Sequence, residues 1–288
     1  MRVGVVFPQT ELGGDVGAVR AYGQAVEELG YRHLLVYDHV VGADPAVHTD
    51  WNGPYDIDTT FHEPFVMFGF LAGVAPALEL VTGVIIVAQR QTALVAKQAA
   101  EVDLLTQGKF RLGVGIGWNA VEYEALGEDF GNRGKRSEEQ IELMRRLWTE
   151  RSVTFDGRHH RVTGAGLAPL PVQQPIPVWI GTASERGYER AGRIADGWFP
   201  MVAPGPRLDE ALGIVVDAAI AAGRDPSTIG MEGRVNWTGD ADRAGAQLAA
   251  WAEAGASHLS VNTMGAGLRT VDDHLAVLAE FATLHAPA

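Results

Sequence analysis

No cysteine occurs anywhere in the 288 residues. That absence excludes a disulfide framework, a thiol nucleophile and a thiolate metal site. Basic side chains are scarce as well: 23 lysines and arginines stand against 36 aspartates and glutamates, a formal charge of −13. So acidic a chain is ill suited to neutralise nucleic-acid phosphates or to dock on anionic lipid, both of which need a basic face. Long apolar runs are missing too. The uncharged stretch from Phe65 to Leu78 is broken by Pro76 and is shorter than the roughly 20 residues of a membrane span. Met1 to Phe7 lacks the longer apolar core of a secretory signal, so the cytoplasm is the expected compartment.

What the chain does have is 47% apolar residues, enough for a large core. They form short β-branched runs alternating with amphipathic helical patterns. Val3–Phe7, His33–Tyr37, Leu80–Val87, Phe110–Gly115, Val178–Ile180, Gly197–Pro200, Gly230–Val235 and His258–Asn262 read as strands. Val16–Leu29, a segment opened by Pro64, Leu94–Leu105, Ser137–Trp148, Glu185–Ala195, Arg207–Ala222, Asp240–Ala254 and Asp272–Leu284 read as helices. Pro64 suits a first helical position, and Ser137 is the expected cap of the fourth helix. Val153–Pro177 interrupts the alternation with a hairpin turning at Asp156-Gly157. Eight strand–helix units imply a parallel sheet covered by helices and favour closure into a single (β/α)8 TIM barrel. One domain over 1–288 is the simplest account, with insertion segments at about 40–63 and 122–177, after strands two and four.

In such barrels the reacting groups gather at the carboxyl ends of the strands. Strand two ends in Tyr37-Asp38-His39, where an acid can tune an imidazole placed over a pocket. A polar pair satisfying backbone groups at the rim would read the same way. Gly83, inside strand three, marks a bulge that either supports a flat ligand or relieves crowding near the barrel axis. Gly115-Ile-Gly117-Trp118-Asn-Ala120 matches the letters of a dinucleotide fingerprint. That fingerprint also needs an acidic strand end about 20 residues on, and Ser137-Glu138-Glu139 is a helix start instead. The Rossmann reading is therefore rejected, and the small residues are read as room for a ligand against the backbone.

Gly181-Thr182-Ala183-Ser184 joins strand five to a helix. This is the setting of a phosphate site at the positive end of a helix dipole, although Ser184 also suits an ordinary cap. His62-Glu63 is not an H-E-x-x-H pair, because Val66 stands where the second histidine belongs, and His159-His160 lies on the hairpin. No metal is expected. Neither a serine-hydrolase elbow nor a Walker loop occurs. Trp148, Trp237 and Trp251 read as core.

Several motifs, in this order and spacing, resemble the luciferase-like monooxygenase superfamily, and within it the oxidoreductases that use the deazaflavin coenzyme F420. They are Asp38-His39, Gly83-Val84, Gln89-Arg90, Gly115-x-Gly117-Trp118-x-x-x-Glu122, Gly164-Ala-Gly-Leu-x-Pro169, Pro175-Ile-Pro-Val-Trp-Ile-Gly181 and Ala195-Asp-Gly-Trp198. The resemblance covers nearly the whole chain. It implies a (β/α)8 barrel with a non-proline cis peptide at Gly83-Val84 that braces the cofactor ring. It also implies a phosphate site along Gly181, Thr182, Ala183 and Ser184, and ring-edge contacts from Phe7, Asp38, Gly115 and Gly117. His39, beside Asp38, is then the proton donor, acceptor or orienting group. Arg90 and Arg186 would join the donors that meet the acidic cofactor.

Related sugar-phosphate dehydrogenases carry a catalytic glutamate just after strand four, where this chain has Trp118. With Trp198, that replacement points to an apolar or aromatic substrate pocket. Glu122 reads as the start of the next helical segment. The expected activity is hydride transfer between F420 and a small organic substrate, in a homodimer. An FMN-dependent monooxygenase of the same superfamily is the close rival. A metal-dependent barrel hydrolase and a non-catalytic cofactor-binding protein are more distant ones.

Overall fold

The computed structural model describes residues 1–285. Eight parallel strands form the central sheet: β1 (Arg2–Val6), β2 (His33–Val36), β3 (Glu79–Thr82, continued by Ile85–Ile86), β4 (Phe110–Gly115), β5 (Val178–Thr182), β6 (Gly197–Pro200), β7 (Gly230–Asn236) and β8 (His258–Asn262). They pair in sequence order, and β8 returns to pair with β1, so the sheet closes. Val5 is level with Val261 across that seam. Helices α1 (Val16–Glu28), α2 (Pro64–Val74), α3 (Thr92–Leu105), α4 (Arg133–Thr149), α5 (Glu185–Ile194), α6 (Pro206–Ala221), α7 (Ala241–Glu253) and α8 (Val271–His285) follow the strands in turn. This is the (β/α)8 barrel read from the alternation. No helix among the described residues is long and apolar enough to cross a membrane.

Local chemistry starts these helices where it does. Asp15 caps α1 by accepting from the amides of Gly17 and Ala18, and Asp240 caps α7 through Arg243. Pro64 opens α2, whose cap is the Glu63 carboxylate. Ser137 is not the cap of α4. That helix starts at Arg133, directly after a short 3-10 turn at Phe130–Asn132. Ser137 is therefore buried in the second turn, and its hydroxyl donates back to the Gly134 carbonyl at 2.8 Å.

The segment 40–63 contains turns but neither helix nor strand. The segment 122–177 contains α4 itself and an antiparallel hairpin, Val153–Asp156 with Arg161–Ala165. The hairpin reverses through Gly157 to His160. Glu139 of α4 braces it by accepting from the amides of Arg158 and His159 and pairing with His160.

Strand alternation divides the core into two layers. Val3, Val5, Phe7, Leu34 and Val36 face the helices, whereas Val6, Leu35, Val81, Trp179 and Phe199 fill the lumen. Below them, at the amino ends of the strands, the lumen is ionic. Arg111 of β4 donates to Glu232 of β7 at 2.7 Å and to Glu79 of β3 at 3.3 Å. His33 Nε2 lies 3.0 Å from both Glu232 and the Ser260 hydroxyl. The Arg111 guanidinium also covers the Trp179 ring at 4.3 Å. Burial holds the pKa of neighbouring His258 down at about 3, helped by the charge of Arg111. This plug closes the barrel beneath the cavity described next.

Candidate active site

The carboxyl ends of the strands surround a cavity of about 470 Å³. One wall is an apolar shelf where β3 breaks. The Gly83–Val84 peptide there is cis, as the resemblance implies, and Val84 is wedged between β4 and β5. A Cβ on Gly115 would come within 2.6 Å of Val84, and one on Gly181 within 2.9 Å. These glycines are small because Val84 occupies the space that any larger side chain would need. Gly117, just beyond, takes a φ of +64°, in the left-handed region that favours glycine.

The wall flanking that shelf, at the ends of the neighbouring strands β2 and β4, is aromatic. His39 packs within 4.7 Å of the Phe61 ring, 5.2 Å of Tyr55 and 5.5 Å of Trp118. Trp118 stacks in turn against Trp51 at 5.6 Å. Thus the insertion 40–63 supplies much of the wall around the imidazole. Trp118 remains 43% exposed at the mouth, consistent with a surface that receives a ligand rather than one spent on packing.

Beneath this wall lies a buried carboxylate, Glu122. It accepts from the amides of Val40 and Val41 at 2.5 and 3.3 Å and from Gln89 Nε2 at 3.0 Å. Its other neighbour is His39 Nδ1, at 3.5 Å. Burial alone would raise the Glu122 pKa, but hydrogen bonds from His39, Val40 and Gln89 overcome it and hold the carboxyl below its ordinary range. An ionised Glu122 orients the imidazole through Nδ1. Nε2 has no hydrogen-bond partner among the described residues, and His39 lines the cavity.

Asp38 has the opposite character. Burial pushes its pKa up to about 6, against the pull of the Arg90 guanidinium, which donates to it at 2.7 Å. The charge of Glu122 raises it further.

Asp38, His39, Gly83, Val84, Gly115, Gly117, Trp118, Gly181, Thr182, Ala183 and Ser184 all line this one cavity. Four residues expected here lie elsewhere, one of them Arg186, which is exposed in the first turn of α5 and outside the cavity lining. Phe7 is fully buried against Tyr22, with ring centroids 5.2 Å apart, on the helix side of β1. Trp198 is buried against Tyr188 at 5.6 Å, on the helix side of β6. Strand parity gives the lumen positions to their neighbours Val6 and Phe199. Arg90 is consumed by Asp38 and by Glu63, the cap of α2, at 2.7 and 3.1 Å, so it ties the rim together instead of meeting a phosphate.

Ser184 serves as the cap of α5, accepting from Gly187, while Thr182 accepts from the Ser184 amide. Both hydroxyls keep a proton to donate. Sequence reasoning missed Tyr37, Tyr55, Phe199 and Arg234 on the cavity wall and the anchoring role of Glu122. The signal for Arg234 was available: in Gly230–Asn236, Glu232 and Arg234 share one face of a strand buried on both sides.

A family description, luciferase-like monooxygenase, matches residues 1–281, and the chain belongs to that family. An uncharacterised protein of Mycobacterium tuberculosis is 30% identical over 273 residues, covering 91% of this chain and 92% of the relative. The F420-dependent hydroxymycolic acid dehydrogenase of the same organism is 28% identical over 255 residues, 86% of this chain and 65% of that enzyme. An F420-dependent secondary alcohol dehydrogenase, solved with an F420–acetone adduct, superposes with a TM-score of 0.78 over 98% of both chains. At 17% identity, this last likeness is one of fold.

Proposed function

We propose that the protein transfers a hydride between coenzyme F420 and a small apolar or aromatic organic substrate. The observation that carries this reading is the juxtaposition, in one cavity, of the Val84 shelf with His39 held by Glu122. The shelf is flat and apolar, and it leads directly to Gly181–Ser184 at the start of α5. Such a cradle fits a planar ring whose phosphorylated tail leaves across a helix N-terminus. An F420-dependent relative at 28% identity and an F420-dependent structural neighbour of similar length and fold support the choice of ring.

When bound, the deazaflavin supplies or accepts the hydride. The chain's own residues do the rest. Val84 supports one face of the ring, and Thr182 and Ser184 donate to the phosphate. Trp118 and Tyr55 press an apolar substrate toward the ring and keep water away, with Phe61 packed against Tyr55 and His39. His39 Nε2 gives or takes the proton that balances the hydride, and Glu122 fixes the tautomer by facing Nδ1. On this reading the protein works on a small molecule, as a homodimer, in the cytoplasm.

The family's description as monooxygenases favours a second reading, an FMN-dependent oxygenation. Titrating the chain with F420 and with FMN, followed by fluorescence quenching, separates the two: saturable binding of FMN alone would reverse the cofactor. With the cofactor known, His39→Ala should lower turnover by roughly 10²–10⁴-fold and leave cofactor affinity nearly unchanged. Undiminished turnover would remove His39 from the chemistry.

A further inference from the structure

The cavity wall carries three acids, Asp38, Glu122 and Glu232, and one arginine, Arg234, with no lysine. The acids have partners: Arg90 for Asp38, backbone amides and Gln89 for Glu122, Arg111 and His33 for Glu232. Arg234 does not have a comparable one. Nη1 donates to the Tyr37 hydroxyl, and Nη2 lies 3.5 Å from the Met201 sulfur. Neither is an anion, and a guanidinium offers five N–H donors. A half-buried arginine is ordinarily paired with an acid, because its desolvation is otherwise uncompensated. Here the nearest acid on the same strand, Glu232, is engaged with the plug below.

Arg234 is also placed for recognition. In the closed strand order, β7 lies four strands from β3 in either direction, so Arg234 faces the Val84 shelf from across the mouth. A molecule lying on the shelf beside the aromatic wall and reaching across the mouth would bring one end to it. We infer that Arg234 receives a carboxylate of the substrate, which makes the substrate class a small apolar or aromatic carboxylic acid. This inference rests on the cavity being the substrate site in the reading above. A carboxylate fits better than a phosphate dianion, since among the described residues no second lysine or arginine lines the cavity and three acids do. Two parallel N–H bonds from the guanidinium match a carboxylate, and the Tyr37 hydroxyl, which accepts from Arg234, has its own proton free to donate.

The test compares trans-cinnamate with the neutral cinnamyl alcohol. Binding to the full chain is followed by calorimetry and by the fluorescence of Trp118 at the mouth, with and without cofactor. The wild type should bind cinnamate at least about tenfold more tightly, or about 1.4 kcal/mol. Arg234→Met should abolish that preference while leaving the affinity for the alcohol within about twofold, which also shows that the variant is folded. Arg234→Lys, which keeps charge but loses the planar fork, should fall between. Equal affinity for the two ligands in the wild type, a preference that survives Arg234→Met, or no saturable binding of cinnamate would each overturn the inference. The cofactor titration is a separate arm. Failure to bind F420 or FMN would sink the oxidoreductase reading, yet the cinnamate comparison would still decide what Arg234 recognises.

Discussion

Strands β2 and β7 each carry polar side chains to both ends of the same lumen, and the two ends behave differently. At the floor, His33 and Glu232 belong to a plug in which Arg111 and Ser260 complete the hydrogen bonding of both Glu232 oxygens. At the mouth, His39 Nε2 has no hydrogen-bond partner among the described residues, and Arg234 meets the hydroxyl and ring of Tyr37 and the Met201 thioether but no paired carboxylate. Glu232 and Arg234 are two residues apart and share one face. Residue type does not separate the two ends; the pairing of charge does. The floor joins its acid to a guanidinium and an imidazole, Arg111 and His33 on Glu232, whereas the mouth leaves the His39 imidazole edge and the Arg234 guanidinium turned to the cavity.

The largest effect should come from breaking the floor. Arg111→Met leaves the buried Glu232 without its guanidinium, while Glu79 keeps Arg2 at 3.8 Å. Removing one partner of such a pair costs about 3–5 kcal/mol, to be read from urea unfolding. A loss below about 1 kcal/mol, the value of an exposed pair, would mean that the floor contributes no more than a surface ion pair and would dissolve the contrast.

The mouth should respond in rate more than in stability. Glu122→Gln keeps the size of the side chain but removes the charge that faces His39 Nδ1. Losing a group that orients a histidine through its other nitrogen costs roughly 10- to 100-fold where it has been measured in metal sites, and a fall of that order in kcat is expected. Cofactor affinity should hold, and Glu122→Asp should recover part of the rate. A variant that loses folding stability with no change in kcat would move Glu122 from the mouth's chemistry to the floor's kind of role.

Much of this division could be read from residue order. The alternation of apolar runs and helical patterns carried the barrel, because period 2 and period 3.6 are local properties that packing did not override. Asp38-His39, Trp118 and Gly181–Ser184 were found because carboxyl strand ends are where such barrels work. Phe7 was expected from the resemblance and Trp198 from its aromatic bulk, but strand parity assigns the lumen to Val6 and Phe199. Arg90 was read as a free cation because its acids are 52 and 27 residues away in the chain. For Glu122 the helical position was visible; that its carboxylate reaches the amides of Val40 and Val41 depends on how the two insertions meet.

The smallest predicted effect concerns pH, and there the two ends oppose each other. Glu232 is held well below the ordinary glutamate range: burial alone would raise it, but the charges of His33 and Arg111 outweigh burial. The unfolded chain therefore binds more protons than the folded one around and below pH ~4.3, and the floor's contribution is lost as pH falls through that region. Asp38 has its folded pKa raised to about 6, against about 3.9 unfolded. Between those values the folded state binds more protons, so stability from this group is greatest below about pH 4 and declines as pH rises toward and through 6. The linkage amounts to a decline of about 1 kcal/mol between pH ~5 and ~6. Asp38→Asn should remove that decline while leaving the acid-side loss intact, as measured by urea midpoints across the pH series. If both variant and wild type lose stability equally over that interval, Asp38 does not titrate there, and the acid at the mouth is as firmly ionised as the one at the floor.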